Sequence, residues 1–343
     1  MRVTREPPLI LEETVSATQA IVAAKSGSLL QNMPSLATFG SFIALVAACT
    51  FFATQSDRFL SGQNFSLILQ QVMVVGVIAI AQTLIILTAG IDLSCGMIMA
   101  LGSIVMTKLA VDNGMNAYLA IACGLFACMA FGMLNGWLIT FIKLPPFIVT
   151  LGTLNIAFAI TQIYSHAQTV SNLPAALTFF GTTFKIGETA ITYGTVLMLL
   201  MYIVTWYVLR ETAPGRHLYA LGNNPEATRL MGINTKRQVL TVYTLAGLIY
   251  GVAGLLLVAR TGVGDPNAGQ TDNLDSITAV VLGGTSLFGG RGMILGTLIG
   301  AMIVGVFRNG LTLMGVSSVY QILITGILVI LAVATDQLSR RKG

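Results

Sequence analysis

Apolar runs of about 20 residues recur along almost the whole chain, and they constrain its fold more than any other feature. An α-helix needs about 20 such residues to cross a hydrocarbon core about 30 Å thick. Apolar residues make up 55% of the 343 and charged residues only 9%, whereas a soluble domain has roughly 25% charged residues. The sequence therefore predicts an integral membrane protein of the all-α class, a polytopic transmembrane helical bundle surrounded by a lipid bilayer.

We predict about ten membrane spans, at residues 36–54, 65–89, 93–111, 117–142, 146–164, 191–209, 239–259, 274–290, 292–311 and 318–335. The eighth run is short and is broken by two pairs of glycines at 283–284 and 289–290. A re-entrant hairpin is the alternative there. It would place the basic C-terminal tail on the other side of the membrane, so we expect a crossing.

The basic residues are distributed unevenly between the two sides that these spans define. With a cytoplasmic N-terminus, thirteen of the 18 lysines and arginines fall inside: in tails at 1–35 and 336–343, in the loop at 210–238, and at Lys143 and Arg291. Cytoplasmic segments of membrane proteins carry such an excess. We therefore expect both termini and the 210–238 loop to be cytoplasmic, with a transmembrane domain between the two tails.

The loop at 210–238 contains a short helix with marked ends. Asn224 is a good N-cap, and Pro225 suits the first helical position because its missing N–H needs no partner there. Glu226 complements the positive end of the helix, and Gly232 can adopt the left-handed conformation that ends it. So short a helix does not hold itself together in water. We expect it to pack on something.

Three stretches of this chain resemble motifs of one family. They are GRHLYALGNNPEATRLMGI at 215–233, GIDLS at 90–94 and AVVLGGTSLFGG at 279–290. They are similar to those of ribose-type permeases, the membrane subunits of bacterial ABC importers for monosaccharides. The resemblance covers roughly residues 40–335.

The resemblance implies a type II ABC importer-like permease in the bacterial inner membrane, working as a homodimer with a second copy of itself. The implied partners are an ABC ATP-binding subunit and an extracytoplasmic sugar-binding protein. In this family the short helix is the coupling helix that rests on the ATPase. The positions that match it are Asn224, Pro225, Glu226, Ala227, Arg229, Leu230, Met231 and Gly232.

A second set of candidates consists of polar side chains inside or at the ends of predicted spans. Such groups are costly in lipid and must face other helices or water. Interhelical hydrogen bonding is the simpler interpretation of the amides, and capping of the next helix is the simpler one for the carboxylate. The other interpretation is that they line a path for the sugar. The candidates are Gln70, Gln71, Asp92, Asn135, Asn155 and Asn309.

Other chemistries lack the residues that they need. The run at 284–291 resembles a phosphate-binding loop, but it has no Gly-Lys followed by Ser or Thr. The two histidines, His166 and His217, fall on opposite sides of the predicted membrane. We expect no cofactor, no metal site, no enzymatic activity and, in the absence of a basic face, no nucleic-acid partner.

Two alternatives to a sugar permease stay open. One is a permease for branched-chain amino acids, which belongs to a related group. The sequence of the 210–238 loop favours a sugar permease over an amino-acid permease. A secondary transporter or channel would work without an ATPase, but such proteins usually use charges within the membrane to couple transport. Which sugar is carried is not readable from the sequence.

Overall fold

The computed structural model of the protein describes residues 36–340, and the predicted N-terminal tail at 1–35 lies outside them, as do residues 341–343. The α-helices of the described part are α1 (Leu36–Gln55), α2 (Gly62–Leu87), α3 (Cys95–Val111), α4 (Ala117–Trp137), α5 (Pro146–Ser165), α6 (Ala175–Thr178), α7 (Tyr193–Glu211), α8 (Ala213–Asn223), α9 (Pro225–Leu230), α10 (Thr235–Thr261), α11 (Asp272–Leu282), α12 (Ile294–Leu313) and α13 (Ser318–Arg340). A π-helical turn at Leu138–Ile142 extends α4.

Six helices of the described part are long and apolar enough to cross a membrane: α2, α4 with its π-helical turn, α5, α7, α10 and α12. Shorter apolar helices lie at Gly40–Gln55, Cys95–Val111 and Ser318–Ile330. The prediction of a predominantly helical membrane protein is therefore confirmed. The predicted count of about ten spans is not.

The largest departure from the predicted spans is at 274–290, where α11 has only 11 residues. Gly283 ends this helix, and Gly284 follows with a left-handed backbone at φ +84°. A helix of that length rises only about 16 Å and cannot cross a membrane alone. The glycine pair explains the early end, because a residue without a Cβ adopts positive φ at no steric cost.

The chain between α10 and α12 nevertheless runs from one end of α2 to the other. Val263 and Asp265, just after α10, line the same cavity as Leu67 in the first turns of α2. At the far side of α11, the N–H of Gly290 donates to the carbonyl of Leu87, the last residue of α2, at 3.0 Å. A stretch of bends and turns at 262–271 followed by α11 therefore replaces the single helix of the prediction.

The centre of the bundle is formed by α2 and α10. In the most apolar stretch of α2, 83% of the residues are buried, and in that of α10, 72%. The corresponding share in α4 is only 22%. Small residues let these helices approach closely: a Cβ on Gly132 of α4 or Gly247 of α10 would overlap backbone atoms of the other helix. Such small-residue contacts are typical of packing in lipid.

The long connection between α5 and α7 contains α6 and a hairpin of two antiparallel strands, β1 (Thr183–Ile186) and β2 (Thr189–Thr192). The hairpin packs on the beginning of α2, where the Ser66 hydroxyl donates to the carbonyl of Ala190. It is a small addition to the predicted all-α bundle. Thr192 then caps α7 by accepting the N–H of Thr195 at 3.2 Å.

Candidate functional site

The short helix α9 lies where its sequence signals place it. The Asn224 side chain accepts hydrogen bonds from the N–H groups of Glu226 at 3.1 Å and Ala227 at 3.0 Å. At the other end, Gly232 has φ +84° and its N–H donates to the carbonyl of Arg229. Both ends of the helix are thus satisfied by local groups.

The C-terminal end of α9 is apolar and accessible. Leu230 is 80% exposed and Met231 is 66% exposed, whereas Thr228 on the inner face is only 1% exposed. Ala227 and Arg229 are also exposed. Leucine and methionine side chains gain from being removed from water. This end of the loop therefore presents a small apolar surface.

The helix before it, α8, anchors this surface to the bundle, and the sequence analysis did not identify it. Its N-cap is Thr212, which accepts the N–H of Gly215, and Leu218 and Leu221 are buried. A Cβ on Gly222 would overlap the carbonyl oxygen of Leu87. The sequence did contain signals for this helix: the N-cap residue Thr212, a proline in the first turn, and the two leucines Leu218 and Leu221, three residues apart.

The segment 284–292 packs against α8 as well. The Tyr219 hydroxyl donates to the carbonyl of Gly292 at 3.1 Å. Burial raises the pKa of the Tyr219 hydroxyl above its ordinary value, so the hydroxyl stays protonated and can donate at neutral pH. We call α8, α9 and residues 284–292 the platform.

Asp92 lies in a buried hydrogen-bond network at the start of α3. Its carboxylate accepts the N–H of Ser94 at 2.8 Å and the hydroxyl of Tyr250 at 3.1 Å. The Asn135 amide donates to the Ser94 hydroxyl, and the Gln82 amide donates to the backbone carbonyl of Asp92. Asn135 thus makes a hydrogen bond to another element of the bundle, and Asp92 bonds Ser94, the residue just before the first residue of α3.

The other predicted path residues lie in different places. Asn155 is exposed on α5 and donates to the carbonyl of Leu151. Asn309 is 4% exposed, and within the described residues its side-chain oxygen has no hydrogen-bond partner. Gln70 and Gln71 line a cavity. The structure therefore does not bring the six predicted residues together.

The polar cavity has a volume of about 610 Å³ and lies between α2, α10, α12 and the stretch that joins α10 to α11. Its lining consists of Leu67, Gln70, Gln71, Leu257, Arg260, Thr261, Val263, Asp265, Asn267, Ala268, Gly269, Gln270, Thr271, Asp272 and Arg308. On α2, Gln71 and the platform contact Leu87 are separated by about 24 Å of helix. The polar cavity and the platform therefore lie at opposite ends of α2.

The sequence analysis missed the charged residues of the polar cavity. Arg308 of α12 contacts Asp275 of α11 at 3.1 Å and Asp272 at 4.0 Å. The side chains of Asp275 and Asp272 are 6% and 13% exposed. The available signal was two aspartates three residues apart, which share one face of a helix: Asp275 at the start of the run assigned to the membrane and Asp272 just before it.

A helical membrane bundle with a polar cavity at one end and an accessible docking surface at the other has the architecture of a transport protein. The profile of a family described as "Branched-chain amino acid transport system / permease component" matches residues 64–333. The chain belongs to this family of permease components.

The curated relatives of the chain are sugar permeases. It is 47% identical to the fructose import permease FrcC of Rhizobium meliloti over 304 residues, which are 87% of this chain and 84% of that protein. It is 40% identical to the ribose import permease RbsC of Bacillus subtilis over 300 residues, 87% of this chain and 92% of that protein. The D-allose transport system permease AlsC of Escherichia coli is 35% identical, with 88% and 91% covered. The predicted resemblance to monosaccharide permeases is confirmed.

Proposed function

We propose that this chain is the membrane permease of an ATP-driven importer that carries a monosaccharide across the bacterial inner membrane. The observation that carries this proposal is the identity of 47% and 40% to fructose and ribose import permeases over most of each chain. A permease of this kind does no covalent chemistry. It opens a path alternately to one side of the membrane and then to the other.

The working assembly that we propose contains two copies of the chain, two ATP-binding subunits and one extracytoplasmic sugar-binding protein. The apolar surface at Leu230 and Met231 would dock into the ATP-binding subunit. Its exposure supports this role, because an isolated apolar surface on a polar loop gains free energy by being covered. The other exposed positions of the predicted coupling set, among them Glu226 and Arg229, would surround it.

In this proposal α11 carries movement from the ATP-binding subunit to the polar cavity. The platform joins the C-terminal end of α11 directly, because residues 284–292 follow Gly283, the C-cap of α11, and the Tyr219–Gly292 hydrogen bond holds this segment to α8. The N-terminal end of α11 places Asp272 in the lining of the polar cavity. A rigid helix that contacts both sites is a physical route for coupling between them.

The proposed topology has ten crossings and both termini in the cytoplasm. Nine are the six long helices and the three shorter apolar ones. The tenth is the stretch 262–282, which consists of a segment of bends and turns followed by α11. The excess of basic residues at the platform end supports a cytoplasmic platform. The polar cavity would then open toward the outside.

Of the six predicted path residues, we retain Gln70 and Gln71 for the path of the sugar because they line the polar cavity. The contacts of Asp92 and Asn135 support a structural role instead. The position of Asn155 on the outside of α5 suits a contact with lipid or with the second copy. Asn309 is buried next to Arg308 in the sequence and does not line the polar cavity, so it would affect the path only through Arg308.

A branched-chain amino acid is the second candidate substrate, because the description of the matching family mentions such transport. Uptake assays separate the two. Cells that lack their own sugar importers would express the chain with the ATP-binding and binding-protein genes next to it. We expect uptake of one labelled sugar among fructose, ribose, allose and galactose. Uptake of leucine without uptake of any sugar would overturn the proposal.

A further inference from the structure

We propose that the polar cavity is a binding site for one monosaccharide inside the permease, held by Arg260, Asp272 and Gln71. This inference rests on the proposed function and specifies the site at which the sugar would pause. The three side chains come from three elements, α10, α11 and α2, and all of them line the same volume. Each has hydrogen-bonding capacity that the described residues 36–340 leave unused.

Arg260 supplies donors. Its side chain is exposed at the end of α10, and within the described part of the chain it makes no ion pair or hydrogen bond. A guanidinium carries five N–H donors in a fixed plane and has no acceptor. A solute in the polar cavity therefore meets an arginine whose donors are free to bind ligand oxygens.

Asp272 and Gln71 supply acceptors. The cation nearest to Asp272 is Arg308, and at 4.0 Å it is too far for a hydrogen bond, because Arg308 is engaged with Asp275 at 3.1 Å. The side-chain oxygen of Gln71 is buried and has no partner among the described residues. An unsatisfied buried acceptor costs free energy until a donor reaches it. Because the Gln71 oxygen has almost no accessible surface, its amide would turn toward the polar cavity before a ligand hydroxyl donates to it.

A polyhydroxylated neutral solute fits this combination better than an ion does. The charged lining residues are two arginines, Arg260 and Arg308, and two aspartates, Asp265 and Asp272, so the lining has no net formal charge. A hydroxyl both donates and accepts, so neighbouring hydroxyls of one sugar can serve Arg260 and Asp272 together.

The remaining lining indicates weak binding. Among the described lining residues there is no aromatic ring, so a sugar ring has no flat apolar surface on which to stack. The volume of about 610 Å³ lies in the range of small-molecule sites and leaves room for water around a single monosaccharide. A transport site must release its solute, and such a site binds loosely enough to do so.

The test is protection of a cysteine in the polar cavity from an impermeant thiol reagent. The full transporter with its ATP-binding subunit is placed in proteoliposomes, in a background with Cys49 and Cys123 replaced by serine. Ala268→Cys and, as a second site, Gln270→Cys report on the cavity. Gln63→Cys is the matched control, since Gln63 is exposed near the start of α2 and outside the lining.

D-fructose and D-ribose are the probes, and L-leucine is the control solute. We expect one of the sugars to slow labelling at the cavity cysteines and to leave Gln63→Cys unaffected. At a sugar concentration ten times the dissociation constant, labelling should slow about tenfold. Adding Arg260→Gln should raise the half-protecting concentration about tenfold or more, because it removes a charge-assisted hydrogen bond.

The outcomes separate this inference from the proposed function. Sugar uptake by a labelling variant whose cavity cysteine is not protected by that sugar overturns the binding site and leaves the sugar permease standing. Equal protection at Gln63→Cys, or protection unchanged by Arg260→Gln, also overturns it. Failure of the wild-type transporter to take up any of the sugars in the assay above overturns the proposed function itself.

Discussion

The hydroxyl of Tyr219 donates a hydrogen bond to the carbonyl of Gly292 across 3.1 Å, which ties α8 to the residues just before α12. Through the same segment, Gly290 is bonded to Leu87 at the end of α2. The platform is therefore attached to the end of α2, and its residues 284–292 join α11 to α12. A force applied at α9 would reach α11 by way of these contacts.

Replacing Tyr219 with phenylalanine should loosen this attachment without unfolding the protein. One such hydrogen bond contributes about 0.5–1.5 kcal/mol. We expect the assembly to form and to hydrolyse ATP, with fewer sugar molecules carried per ATP. The measurement is the ratio of uptake to hydrolysis in proteoliposomes, with Tyr207→Phe, an exposed tyrosine of α7, as the control. An unchanged ratio in Tyr219→Phe would remove this bond from the coupling route.

Leu230→Glu should weaken binding of the ATP-binding subunit. Burial of a leucine contributes roughly 1.5–3 kcal/mol, so its loss lowers the affinity about tenfold to a hundredfold. Folding should survive, because Leu230 is 80% exposed and the helix propensity of glutamate is close to that of leucine.

Co-purification of the ATP-binding subunit with the tagged chain measures this effect. Leu60→Glu is the matched control, since Leu60 is 78% exposed in the turn between α1 and α2, at the other end of the bundle. Full recovery of the ATP-binding subunit with Leu230→Glu would mean that α9 is a solvated turn and not the coupling helix.

The sequence predicted some elements well and others poorly, for physical reasons. The helix α9 was predictable because its signals are local: the Asn224 cap and the Gly232 end act within a few residues. The long apolar helices were predictable because length and hydropathy alone decide whether a helix can span a lipid bilayer.

The polar cavity was not predictable in the same way. Arg260, Asp272 and Arg308 come from three elements, and only the packing of α10, α11 and α12 brings them together. The two aspartates of the first turn of α11, Asp272 and Asp275, could not be linked to Arg308 from the sequence, because the ion pair forms only when α12 packs against α11. Burial of Asn135 or exposure of Asn155 likewise depends on which face of each helix meets its neighbours.

Gly222→Ala should destabilise the platform. The added Cβ would overlap the carbonyl oxygen of Leu87 and approach the backbone nitrogen of Gly290, and backbone atoms cannot move aside as a flexible side chain does. We expect a cost of about 1–3 kcal/mol, as for other overpacked sites. Thermal unfolding of the detergent-solubilised protein measures it.

The control for this substitution is Gly152→Ala in α5, where the added Cβ would meet no atom within 4 Å. Alanine is the better helix former by about 0.5–1 kcal/mol, so this variant should be as stable as the wild type or slightly more so. Equal unfolding temperatures for the two variants would contradict the close contact at Gly222.

Asp275→Asn should destabilise the packing of α11 on α12. It leaves Arg308 without its closest anionic partner, and the aspartate side chain is only 6% exposed. Because Arg308 is 44% exposed and solvent screens it, we expect about 1–3 kcal/mol, less than for a fully buried pair.

Asp112→Asn is the control for that variant. It breaks the Lys108–Asp112 pair, whose aspartate is 49% exposed, and should cost less than about 1 kcal/mol. The unfolding temperature should therefore fall by several degrees for Asp275→Asn and hardly at all for Asp112→Asn. Similar values for both would show that the ion pair of Arg308 contributes little.

The proposed orientation is tested by labelling a single cysteine at Asn223. This residue is exposed in the platform, so it should react with an impermeant reagent only when the cytoplasmic side is accessible. Broken cells or inverted vesicles should label, and intact cells should not. A cysteine at Gln63 should label in intact cells and in broken cells, but not in sealed inverted vesicles. Labelling of Asn223→Cys in intact cells would mean that the platform faces the outside and that the proposed topology is wrong.

The most direct test of the account is ATP-dependent sugar accumulation by the reconstituted transporter. Proteoliposomes would contain the chain with its ATP-binding subunit, with ATP enclosed and with the sugar-binding protein and labelled D-fructose or D-ribose outside. We expect accumulation that requires ATP and both partners and that falls to background with Leu230→Glu. Accumulation by the chain alone, without ATP or either partner, would contradict the account and indicate a transporter or channel that works by itself.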